Sequence, residues 1–278
     1  VIAFLGSVFS PYYAWSRRRG RGDPMRHCAV NVALYGRPGA WAMTERGEAS
    51  VDRSATRLAI GPSSLDWDGA TLTIRLDERT FPLPGRVRGT VRVTPRALTG
   101  RTFTLDPAGL HRWSPLGPCS RVEVELDRPA LRWSGPGYLD RNAGAGPLED
   151  SFASWNWSRA PLRDGAAILY ESLARDGSTQ CLALRVDGAG EVGAFEPPAL
   201  TQLPRTFWRV PRETRAEGGR ASVVRTLTDA PFYSRSVIRT SLLGEACEAV
   251  HESLDMDRFR LPVVQGMLAF KIPRALRG

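Results

Sequence analysis

Short apolar runs, each broken within a few residues by Gly, Pro or Asp, recur along the chain: Val1 to Phe9, Cys28 to Leu34, Trp41 to Thr44, Leu58 to Ile60, Thr71 to Leu76 and Val87 to Val93. Runs of this length, punctuated by turn residues, predict antiparallel strands. Asp68-Gly69 ahead of the alternating TLTIRL run predicts a hairpin, as does Gly36 to Gly39 between two strands. The later chain repeats the manner, with Ala166 to Leu173, Asp176-Gly177 and Gln180 to Val186, and then Phe232 to Leu243, Gly244 and Ala246 to Leu254. No window carries an amphipathic helix of three turns. The expectation is an all-β protein with little helix, limited to one turn near Pro147 to Ser154 and another near Gln265 to Lys271.

A change of character falls near Leu126 to Ser134, with about eight strand candidates before it and about seven after. Each set suffices for its own antiparallel barrel or sandwich, so the expected division is two β-domains, 1–130 and 131–278. Between Thr94 and Arg121 the chain is Pro-rich and is expected to be irregular. That segment carries His111 and Trp113, two residues apart.

The stretch from Gly135 to Arg159, GPGYLDRNAGAGPLEDSFASWNWSR, is denser in polar and aromatic groups than a core strand requires. With strand periodicity Tyr138 and Asp140 project from one face and Leu139 from the other. The glycines and Pro147 beyond them predict a loop that brings a second strand, Phe152 to Ser158, back toward the first. Trp155 and Trp157 share a face of that second strand. The plainer reading is a Gly-rich connection between two core strands, with Asp140 bonded to its own turn.

Composition narrows the chemistry. The formal charge is +9 and Lys271 is the single lysine, so the positive charge is almost all arginine, densest in RRRGRG at Arg17 to Gly22. No nucleic-acid-binding motif accompanies it, which leaves an anionic membrane surface as the fitting partner for such charge if the substrate is a lipid. Cys28, Cys119, Cys181 and Cys247 are scattered, and the three histidines, His27, His111 and His251, would all be needed for a three-His site. A metal is therefore not expected. There is no G-x-S-x-G, Walker loop or strand-to-helix G-x-G-x-x-G, so triad hydrolases and nucleotide cofactors drop out and no cofactor is expected. No apolar run reaches a membrane span and the opening VIAFLGSVF lacks a basic leader region, so the cytoplasm is the expected compartment. Glu149 and Asp150 form a carboxylate pair, but at a turn a capping or solvated role suits them better. What survives is a set of four, His111, Trp113, Tyr138 and Asp140, in matched i, i+2 spacing: three groups that can hold and move protons, and one ring face suited to a cation.

The phrases SVFSPYYAW (Ser7 to Trp15), HCAVNVALYG (His27 to Gly36), WAMTERG (Trp41 to Gly47), GPSSLDWDG (Gly61 to Gly69) and GYLDRNAGAGPLEDSFASWNWSRA (Gly137 to Ala160) resemble the carotenoid 1,2-hydratases, also called hydroxyneurosporene synthases. The resemblance spans nearly the whole chain. It implies two lipocalin-like domains and cofactor-free addition of water to the terminal C1=C2 bond of acyclic carotenoids such as neurosporene and lycopene. It also implies catalysis by a His and a Trp two apart and a Tyr and an Asp two apart, which fall on His111, Trp113, Tyr138 and Asp140. On that reading Asp140 protonates C2, Tyr138 orients it, Trp113 faces the cation and His111 positions water and takes its proton, while Phe152, Trp155 and Trp157 line an apolar tunnel and the protein touches the inner membrane peripherally. The rival readings are a non-catalytic carrier of an apolar ligand and a cofactor-free cyclase of the same architecture.

Overall fold

The structure, a computed structural model, describes residues 1–275. Strand accounts for 56% of it and helix for 13%, against about a third helix in ordinary globular domains. The expected turn of helix after Pro147 is Leu148–Ser151. The C-terminal one is longer than a turn, Pro262–Lys271. Two helices were not anticipated, the short Met256–Phe259 and Pro11–Arg18, which follows an apolar run of which only Ile2–Phe4 is strand. The signals of the longer one are local. Ser10 caps it by accepting from Tyr13 N at 3.1 Å, Pro11 occupies the first turn, and Arg17 and Arg18 sit where the C-terminal carbonyls favour cations.

The chain forms two compact units, and neither is continuous in sequence: Val1–Thr94, Arg121–Gly137 and Gln265–Gly278 in one, Pro95–Ser120 and Tyr138–Val264 in the other. Residue 130 lies at the turn between the two longest strands, His111–Arg128 and Ala130–Gly144. Each of those strands contributes residues to both units.

In the first unit the Leu72–Thr80 strand pairs antiparallel with Gly85–Pro95, and alternation sends Ile74, Leu76, Val87, Val91 and Val93 into the core and Arg75, Arg79, Arg86, Arg88 and Arg92 outward. Asp68 closes the predicted hairpin by accepting from the backbone of Ala70 and Thr71, at 2.8 and 2.7 Å. Two ion networks are buried here. Glu78 takes both terminal nitrogens of Arg46 and the hydroxyl of Ser63, and Glu45 takes His27 and Arg274.

The second unit is built on a seven-stranded sheet in the order Val192–Ala194, Thr179–Val186, Gly165–Ala174, Phe152–Leu162, Glu245–Asp255, Tyr233–Leu242, Ser222–Ala230. Gly165 opens one hairpin at φ +105°, with no room for a Cβ against the Val186 carbonyl. One face packs Ala160, Ala167, Leu169, Ala183, Ile238 and Ala249 against Leu203. The other face carries the aromatic residues.

The segment Thr94 to Arg121 corrects the sequence reading. From His111 on it is strand, not irregular chain, and it pairs with Phe103–Thr104 through Arg112 and Trp113. Pro and Gly obscured it, because proline cannot donate to a ladder. The carbonyls here have partners beyond the ladder: Pro115 and Leu116 accept from Thr99, Pro118 from Arg159, and Cys119 from the Arg96 backbone.

Candidate active site

Cross-strand register assembles the floor of the site. Tyr170 pairs with Leu182 and with Trp157, Trp157 with Glu252, Glu252 with Arg235, and Arg235 with Thr228. Directly paired residues share a sheet face, so these side chains stand in one row across the sheet. A bulge between Phe152 and Ser154 sets Trp155 and Trp157 on that face.

Trp113 packs on this row with its ring 5.4 Å from Tyr170, and Tyr138 does so with its ring 5.1 Å from Trp157. Their polar ends converge. The Trp113 indole N–H donates to Asp140 Oδ2 at 2.9 Å, and the Tyr138 hydroxyl donates to the same oxygen at 3.1 Å. Asp140 Oδ1 has no hydrogen-bond partner among the described residues. The strand from Phe152 does return toward Tyr138, as expected, but through the ring contact with Trp157. It pairs with its sheet neighbours, Gly165–Ala174 and Glu245–Asp255.

Both donors to Asp140 are neutral, and they offset its removal from water only in part. Burial, reinforced by the charge of Glu252, pushes the Asp140 carboxyl up to about 6, against the pull of Trp113, Tyr138 and Arg235. Burial and the neighbouring Asp140 hold Tyr138 and Tyr170 well above the usual phenol value, so both stay protonated. The result is a carboxyl that holds its proton up to about pH 6, with one oxygen anchored and the other without a hydrogen-bond partner.

His111 stands apart from this cluster. Its backbone N–H donates to Asp106 at 2.6 Å, its Nε2 bonds the Ser151 hydroxyl at 2.9 Å, and its ring lies 5.1 Å from Phe152. A Cβ on Gly144 would sit 2.6 Å from Nδ1, so only glycine fits there. Burial lowers its pKa, against the pull of Asp106, and keeps the ring neutral. The structure thus joins Trp113, Tyr138 and Asp140 directly and sets His111 one strand repeat, roughly 7 Å, along the same face. Trp113 is fully buried between Tyr170 and Phe103, so its ring holds the acid in place and is not free to face a cation. Trp157 is half-buried beside Tyr138. Phe152 is buried under His111, and Trp155 meets Phe152 edge to face at 5.7 Å.

Sequence reasoning missed Tyr170, Ser151, Asp106, Glu252 and Arg235. Tyr170 lies in an apolar run that reads as core, and Glu252 and Arg235 alternate with polar neighbours. Their roles follow from register, which no local pattern encodes. No cluster that could hold a metal ion occurs among the described residues.

The family described as carotenoid hydratase CrtC matches residues 1–277. The chain is 57% identical to the acyclic carotenoid 1,2-hydratase of Thiocapsa roseopersicina over 99% of its own length and 68% of that protein. It is 46% identical to the enzyme of the same name from Rubrivivax gelatinosus, over 98% and 68%. It is 42% identical to that of Cereibacter sphaeroides, over 99% and 98%. Among solved structures it is similar to a Nitrosomonas europaea protein described as AttH, with a TM-score of 0.53 at 16% identity over 82% of this chain and 81% of that one. The shared fold is lipocalin-like.

Proposed function

The chain belongs to the carotenoid hydratase family, and from that membership we infer that it adds water to the terminal C1=C2 bond of an acyclic carotenoid, with Asp140 as the acid. The observation that carries the residue assignment is the Asp140 carboxyl, bonded twice on Oδ2, bare on Oδ1 and raised to about 6.

An isolated alkene is a very weak base, so the donor must be strong in acidity yet protonated near neutral pH. Asp140 Oδ1 delivers its proton to C2, and the C1=C2 π pair forms the new C–H bond, leaving a tertiary cation at C1. The faces of Trp157 and Tyr138 stabilise that cation by about 2 kcal/mol in a desolvated setting. Trp113 and Tyr138 hold the carboxylate that remains, and their hydrogen bonds to it strengthen as it becomes charged. Water adds at C1 and its surplus proton returns to Asp140, so the acid is restored and no cofactor is consumed. His111 fixes the Asp106 loop and Ser151 against Phe152 and takes no proton in this scheme. Phe152 and Trp155 contribute to the apolar wall that receives the polyene.

The substrate partitions into lipid, and the protein meets it at a membrane surface. The charge of +9 and exposed Arg18, Arg19 and Arg21 support peripheral contact with anionic lipid, and no described helix is long and apolar enough to cross a membrane. Binding to anionic vesicles should weaken as salt rises through about 0.1 M.

Purified protein mixed with neurosporene or lycopene in detergent tests the activity by product mass. Gain of one water is the expected result. Retained, unchanged carotenoid would make the protein a carrier, and an isomer would make it a cyclase.

A further inference from the structure

The row that carries Tyr170 and Trp157 continues to Glu252 and Arg235, two charged side chains that the scheme above leaves idle. Arg235 Nη2 donates to Glu252 Oε1 at 2.5 Å, and the two side chains are only 23% and 20% exposed. A pair so far from water contributes little net stability, because removing both charges from solvent costs about as much as their attraction returns. Stability alone does not explain charge in a row otherwise occupied by Leu182, Tyr170, Trp157 and Thr228.

The placement suggests another use. Trp113, on Tyr170, and Tyr138, on Trp157, both hold Asp140, so the acid is held over Tyr170 and Trp157, and Glu252 is the next residue of the row beside Trp157. We propose that Glu252, fixed by Arg235, is a positioning residue of the acid site, its negative charge holding on Asp140 the proton that the reaction needs. This rests on the reading of Asp140 as the acid.

The charged and titratable groups around Asp140 are few. Tyr138 and Tyr170 stay neutral, Trp113 only donates, and Arg159, two residues beyond Trp157, is turned to the Pro118 carbonyl at 2.7 Å. Glu252 opposes ionisation of Asp140 and Arg235 favours it, and Glu252 has the larger influence. Their substitutions must therefore act in opposite directions.

The experiment measures lycopene hydration against pH in detergent, and in parallel the titration of the Asp140 carboxyl by 13C NMR, its resonance identified by loss in Asp140→Asn. Glu252→Gln should move both midpoints down by about one unit. The rate then falls about tenfold above pH 7 while the acid plateau stays where it was. Arg235→Met should move both midpoints up and raise the rate above pH 7. Glu252→Asp, which keeps the charge, should hold the wild-type midpoint. If Glu252→Gln does not fold, the upward shift in Arg235→Met carries the test. An unmoved midpoint in a folded Glu252→Gln, equal loss at every pH, or shifts of the same sign in both variants overturn the proposal. Opposite NMR shifts in a protein that hydrates nothing would uphold the electrostatics and sink the hydratase reading. Hydration with unmoved titrations would do the reverse.

Discussion

Two carboxylates, the fully buried Glu78 in one unit and the half-buried Asp140 in the other, contrast a structural acid with the one proposed as reactive. Glu78 is fully buried, and both of its oxygens are taken: Oε1 by Arg46 at 3.2 Å and Ser63 at 2.7 Å, Oε2 by Arg46 at 2.8 Å. Asp140 is held by two neutral donors on one oxygen. Burial raises both carboxyls. For Glu78 a guanidinium opposes the rise from bonding distance, and both oxygens are engaged in the fold. For Asp140 no cation is bonded among the described residues, and Oδ1 has no hydrogen-bond partner there. Burial alone therefore does not mark a catalytic acid. The proposed acid differs from Glu78 in having one oxygen without a hydrogen-bond partner and no bonded cation among the described residues.

The largest effect expected from this contrast is on the structural side. Arg46→Met leaves Glu78 buried without its partner and should cost about 3–5 kcal/mol in urea unfolding, with turnover per folded molecule retained. Loss of turnover without loss of stability would mean that the first unit has a catalytic part.

Asp140→Asn should lower lycopene turnover by about 100-fold or more. Its stability should move the other way. Asp140 is raised from 3.8 in the unfolded chain to about 6 in the folded one, so the folded state binds the extra proton. The stability contributed by this group is therefore fully present below about pH 4 and declines as pH rises toward 6. The asparagine protein should thus be more stable than wild type at pH 7.5, by roughly 3 kcal/mol, and no more stable at pH 4. Denaturation at the two pH values checks the sign. An asparagine variant that hydrates lycopene at the wild-type rate would remove Asp140 from the mechanism.

Tyr138→Phe removes one of the two donors to Oδ2 and should lower turnover about tenfold, the usual scale of one such hydrogen bond. Because that bond favours the ionised carboxylate, its loss should also shift the pH at which the rate falls upward, a change a simple packing defect would not produce. The smallest effects are expected at the turn Leu148–Ser151. Asp150 is exposed there, and Glu149→Gln and Asp150→Asn should change stability by no more than about 0.5 kcal/mol and turnover by less than a factor of about two. A large loss of rate in either would shift the acid to that turn.

Particular residues show how far the sequence reaches. Period-two alternation and Gly-bearing turns determine that Thr71 to Leu76, Val87 to Val93, Ala166 to Leu173 and Ala246 to Leu254 are strands, since one buried face imposes that period whatever the neighbours are. The i, i+2 spacing of Tyr138 with Asp140 likewise places that pair on one face by strand geometry, whereas that of His111 with Trp113 does so only because the segment from His111 is strand. Where proline interrupts, as from His111 to Pro118, strand depends on partners that supply the missing bonds, and the local pattern is silent. The same holds for the site's wiring. That Trp113 bonds Asp140 while His111 turns to Ser151, that Tyr170 supports Trp113, and that Glu252 with Arg235 closes the row are consequences of register between strands up to about ninety residues apart. Hydrogen-bond partners and local dielectric set the acidity of a carboxyl. Both come into being only when the strands pair and exclude water, which is why only the tertiary structure decided which of this chain's acids could serve.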